Sequence, residues 1–106
     1  MRTIKEWYDT LNAMVKGTDY EVICKSNISN PVVAIVPKGF NTPQRIAVYP
    51  KKTTYAGLVF EHDVFEIPRI NELMGEPHRD KSNRPHYNRI PDETIIEVCE
   101  VFLRIR

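Results

Sequence analysis

Between positions 61 and 66 stand Glu61, His62, Asp63 and Glu66, three carboxylates around one imidazole. Such a group can hold Mg²⁺ or divide acid and base work between its members. The spacing weakens that reading. Neighbours on an extended segment point to opposite faces, so His62 and Asp63 do not converge on one ion. The Glu-x-Lys that follows the acidic residues on a nuclease strand is missing. An acidic strand end also has a plain structural use, because it discourages edge-to-edge pairing. A small enzyme built on these four residues stands as one alternative.

Other routes to chemistry are poorer still. His78 and His86 are separated by Pro85, and neither HExxH nor a Cys/His cluster occurs, so no metal is expected. Gly39, Gly57 and Gly75 are isolated, which leaves no phosphate-binding loop and no dinucleotide fingerprint, so no cofactor is expected. No G-x-S-x-G elbow presents a serine nucleophile. Cys24 and Cys99 each lie in an apolar stretch and read as buried thiols of a reducing compartment, which makes the cytoplasm the expected location. Arg2 and Lys5 precede no apolar stretch of signal-peptide type. The longest apolar run, Val32 to Val36, is far short of the about 20 residues that span a bilayer, so no membrane role is expected.

Binding chemistry is better represented. From His78 to Arg89 the chain carries Arg79, Lys81, Arg84 and Arg89 against the single carboxylate of Asp80, with His86 and Tyr87 among them. Arginines at this density suit carboxylate or phosphate contacts, and Tyr87 can stack on a base or a peptide group. Lys38, Arg45, Lys51 and Lys52 form a second basic cluster. The formal net charge is only +1. A dedicated duplex-DNA binder has a clear basic excess and a DNA mimic is strongly acidic, so any electrostatic role must be local.

The elements that must position these residues are read from periodicity. Thr3 to Glu6 forms a capping box, and Ile4, Trp7, Tyr8, Leu11, Met14 and Val15 follow at helical spacing up to Gly17. This predicts a helix over about 3–16. Tyr20, Val22 and Cys24 then alternate with Glu21, Ile23 and Lys25, as in a half-buried strand. Val32 to Val36 reads as a central strand apolar on both faces, Arg45 to Tyr49 as a third strand and Tyr55 to Phe60 as a fourth. Val64 to Ile67 extends the fourth strand or makes a fifth. Pro68 opens a short helix that Gly75 ends. Glu76 to Ile90 is polar, contains Pro77 and Pro85, and reads as a long basic loop.

Pro91-Asp92-Glu93 starts the final helix with negative charge at its positive end. Glu93, Glu97, Glu100 and Arg104 fall on one narrow stripe, and apolar residues fill the remaining arc of roughly 220°. That is about twice what one sheet face covers. Either the other helices pack over this helix, or it reaches a partner chain, in a homodimer or in a partner's groove.

The expected fold is α+β over residues 1–106 as one domain. It has an N-terminal helix, an antiparallel meander of four or five strands, a short helix, the long basic loop and a C-terminal helix, in two layers. The sheet face away from the helices is expected to carry Ile23, Val33 or Tyr49. The expected function is a non-catalytic binding module for a macromolecule, most simply a protein. A phage or mobile-element accessory protein that inhibits a host nuclease would have this character. Binding of single-stranded DNA or RNA through residues 78–89 is the second alternative.

Overall fold

The computed structural model describes residues 2–50 and 56–105, and of His62 and Asp63 the backbone only. The chain forms α1 (Ile4–Met14), β1 (Tyr20–Lys25), β2 (Val32–Pro37), β3 (Ile46–Tyr49), β4 (Ala56–Phe60), α2 (His62–Phe65), α3 (Pro68–Met74), β5 (His78–Arg79), β6 (Pro85–Ile90) and α4 (Asp92–Ile105). The strands make one antiparallel sheet in the order β1-β2-β3-β4-β6-β5. The fold is α+β, as the periodicities predict.

Local signals set the helix ends. The Glu6 amide donates to Thr3 Oγ1 at 3.2 Å, and the Thr3 amide donates to Glu6 Oε1 at 3.0 Å, which satisfies two free donors of α1. Gly17, at φ +80°, turns the chain away into β1. Pro68 opens α3 and Gly75 closes it. Val64 to Ile67, expected as strand, is helical or turn instead. Val64 and Ile67 are both buried, and their i,i+3 spacing suits a helical turn rather than alternation.

The helices share one face of the sheet. Trp7 and Leu11 of α1, Val64 of α2, Ile70 of α3, and Ile95, Val98, Cys99 and Phe102 of α4 pack with Val22, Val33, Ile35, Ile46, Val48, Leu58 and Phe60. Fully burying a Leu or Phe contributes about 1.5–3 kcal/mol, so this cluster dominates stability. The wide apolar arc of α4 is used largely within the chain. The helix touches both α1 and α3, and Ile96, Val101 and Leu103 pack at the margins of the same core. Ile105 alone of the large apolar residues on α4 is counted as exposed.

The other face holds a second, smaller cluster of Val32, Ala34, Val36, Ala47 and Val59, with Ile23 and Tyr49 half-buried against it. Ile23 and Tyr49 lie where the sequence places them. Val33 does not, because strict alternation along β2 sends it to the helix side with Ile35.

Residues 76–90 are not a loop. Most of the segment is the β5–β6 hairpin, which brings the sheet to six strands. Pro85 is the first residue of β6, a position where a missing N–H is tolerated. Ala56 faces Ile90 and Leu58 faces Tyr87, so β6 carries one extra residue there. Arg89, at φ +58°, lies within this bulge.

Candidate partner-binding surface

Asp80 organises the β5–β6 turn. Its Oδ1 accepts the amides of Ser82 at 2.9 Å and Arg84 at 2.8 Å, a side-chain mimic of a backbone turn. Asn83 takes φ +62°, a conformation that asparagine tolerates well, and its amide donates to the Asp80 carbonyl at 2.9 Å. Asp80 Oδ2 accepts Arg84 Nε at 2.9 Å and lies 2.9 Å from His86 Nε2. The Arg84 amide holds the Asp80 carboxyl well below the usual range. The His86 and Arg84 side chains add to this, and desolvation opposes it. With Asp80 ionised, His86 must carry its proton on Nε2 to make that contact.

Strand direction decides which basic residues meet. β4 ends at Phe60 opposite the start of β3, and β6 starts beside the same end, with Val59 facing His86. The β2–β3 loop and the 80–84 turn therefore lie at one end of the sheet. Lys38 and Lys81 are exposed there, and Arg45 and Arg84 are half-buried. Arg45 adopts φ +49°, and its carbonyl accepts the Glu61 amide at 2.9 Å. Arg89 is exposed at the far end of β6 and does not join this group. Lys51 and Lys52 lie outside the described residues.

Two members of the basic stretch have other duties. Tyr87, expected to stack on a partner, is buried with 6% exposure. Its ring packs on Phe60 and Phe65, and its hydroxyl donates to the Gly75 carbonyl at 3.3 Å. The period of two in β6 explains this, because Pro85 and Tyr87 point to the helix side while His86 and Asn88 do not. Arg79 is exposed but lies over the Phe65 ring at 5.0 Å and donates to the Asn83 carbonyl at 3.1 Å.

Asn30 and Asn88, which the sequence did not single out, join Tyr49 and His86 on this surface. Tyr49 faces Gly57 across β3 and β4, and both border a depression of about 140 Å³. Tyr49, His86, Asn30 and Asn88 line it. Burial raises the Tyr49 hydroxyl pKa, and the Arg84 charge partly offsets that rise. The turn-forming role of Asp80 was open to view in Asp80-Lys81-Ser82-Asn83, a run of turn formers. The depression was not, because it needs the β3–β4 register.

The acidic cluster sits on a helical turn rather than a strand end. Glu61 precedes α2, His62 and Asp63 begin it, and Glu66 is exposed just after it. Among the described residues no group of three His, Cys, Asp or Glu is placed to hold a metal ion. Nor is any described helix long and apolar enough to cross a membrane. Cys24, expected to be buried, is exposed, because it stands on the edge strand beside a groove at α1; Cys99 is buried in α4. Compared with family models, with curated proteins and with solved structures, the chain matches none of them.

Proposed function

We propose that the protein is a non-catalytic binding module that grips an acidic surface of a protein partner. The contact is made by the sheet end carrying Lys38, Arg45, Lys81 and Arg84, with His86 and Tyr49 beside it. One observation supports this reading most. Asp80 takes Arg84 Nε, and the two terminal nitrogens make no hydrogen bond among the described residues, although the side chain is 40% exposed. A guanidinium already oriented loses little freedom when it meets a carboxylate. Its planar fork suits such a partner better than a lysine ammonium would.

A chain of this size acting by contact suits an accessory inhibitor of a larger enzyme, such as a phage or mobile-element product directed at a host nuclease. Single-stranded nucleic acid fits the surface less well. Such binders use exposed rings as stacking platforms, and Tyr87 is turned into the core.

The test is capture from an extract of the encoding organism, split into nuclease-treated and untreated halves. The expected result is a protein retained equally in both halves and lost with Lys38→Ala/Lys81→Ala/Arg84→Ala. Retention that vanishes with nuclease would move the reading to nucleic acid. Retention by the triple variant would remove the surface from consideration.

A further inference from the structure

The two edges of the sheet are unequal. β5 offers two residues, whereas β1 offers six, with no proline, no bulge and no left-handed residue among them. Such an edge is normally shielded. Here a groove of about 740 Å³ runs along it. Val22 and Cys24 from one side of β1, Ile23 and Lys25 from the other, and Ile4 and Tyr8 of α1 all line this groove. Side chains from both faces of one strand share it, so it opens on the strand's own edge.

The pattern of hydrogen bonds shows which backbone groups point outward. The Lys38 amide donates to the Asp19 carbonyl at 3.1 Å, and Tyr20 faces Pro37. In an antiparallel pair the bonded positions alternate, so Asp19, Glu21, Ile23 and Lys25 face β2. Tyr20, Val22 and Cys24 direct their N–H and C=O groups away from it. The Tyr20 amide is indeed taken by Thr18 Oγ1 at 3.1 Å. Among the described residues, Val22 and Cys24 are left as an open ladder.

We propose that β1 pairs antiparallel with β1 of a second copy, Val22 opposite Cys24 and Ile23 opposite Ile23 on the two-fold axis. Only outward-facing residues can bond across the axis, so Val22 and Cys24 must meet Val22 or Cys24. Three registers satisfy this. With Val22 on Val22, Glu21 falls against Ile23. With Cys24 on Cys24, Ile23 falls against Lys25. Only Val22 on Cys24 places Ile23 on its own mate and Glu21 on Lys25, twice by symmetry. Opposite charges directly across strands attract, and an apolar pair at the centre fills its own space. Lys25 makes no ion pair among the described residues. Glu21 Oε1 accepts the Gly39 amide at 3.0 Å, which leaves Oε2 for Lys25 of the second copy. The same register puts the helices of both copies on one side, with Ile4 and Tyr8 of each α1 facing across the groove. Tyr8 is 36% exposed in the single chain.

Sedimentation velocity over a concentration series tests this, and a dimer is expected. Cys24→Pro removes an N–H that β2 does not use and should give a folded monomer with an unchanged far-ultraviolet spectrum. Lys25→Glu should weaken the dimer about tenfold, and Glu21→Lys/Lys25→Glu should restore it. Cα atoms at a non-hydrogen-bonded pair lie about 4.5 Å apart, within disulfide reach. Ile23→Cys/Cys24→Ser should therefore cross-link on oxidation, while the parent Cys24 does not. A monomer up to the highest soluble concentration overturns the proposal. So does a dimer indifferent to Lys25→Glu, or cross-linking through Cys24 in place of position 23.

Discussion

The hydroxyl of Tyr87, in β6, donates to the carbonyl oxygen of Gly75, the residue that ends α3, at 3.3 Å. This bond ties the hairpin strand to the helix before it, and the ring fills the space between Phe60 and Phe65. Tyr87→Phe should cost about 1 kcal/mol, the net value of one such bond. Tyr87→Ala should cost about 3–5 kcal/mol through the cavity it leaves. Urea unfolding of the two variants checks both values.

Burial also pushes the Tyr87 phenol up from 10.0 to about 12. A folded-state value above the unfolded one means the group's contribution is whole below about pH 10 and falls away as pH rises toward 12. Ultraviolet titration should show a tyrosine step near pH 12, and Tyr87→Phe should remove that step. A complete titration centred near 10 would contradict the burial of this ring.

Asp80 carries the opposite sign. Its folded value is depressed, so its contribution is present above the ordinary carboxylate range and is lost only as pH falls through strongly acidic values. The carboxyl carbon resonance of Asp80 should stay at its ionised position at about pH 3, where an ordinary aspartate is largely protonated. Asp80→Ala should speed amide exchange at Ser82 and Arg84 by about tenfold or more while leaving the amides of α1 and α4 protected. Uniform loss of protection would mean that the turn is not a separate unit.

The two thiols should differ sharply. Burial pushes Cys99 up to about 12, with the Glu100 charge adding to the shift, whereas Cys24 is exposed. In dilute solution a maleimide should label one site per chain, Cys24, and reach Cys99 only after unfolding. Rapid labelling of both in the native protein would refute the placement of Cys99.

Arg89 occupies a left-handed backbone position in the β6 bulge. A side chain there costs about 1–2 kcal/mol relative to glycine, against which glycine loses about 0.5–1 kcal/mol of chain entropy. Arg89→Gly should therefore be neutral to slightly stabilising in thermal melts. Arg89→Val, with a branched Cβ, should be clearly worse.

Features held by local chemistry were legible in the residues. The capping box of Thr3 and Glu6, the alternation in Tyr20 to Lys25 and the proline and glycine around α3 all act over a few positions. The hairpin was hidden because polarity and two prolines in 76–90 outweighed a short alternation at Pro85 and Tyr87. Only pairing with β4 makes that alternation meaningful. The candidate surface was half legible for the same reason. The charges of Lys38, Arg45, Lys81 and Arg84 stand in the sequence, but their shared end depends on strand direction. The fate of Tyr87 depends on which way β6 faces.

The shortness of β5 limits how the sheet can grow. A ribbon with two long free edges can add copies without end, as fibrils do. This one has a single long regular edge, and a copy joined there leaves outward at both extremities only the two-residue β5 and the bulged stretch of β6 that β5 does not cover. Assembly through β1 is thus self-terminating: the second copy is also the last.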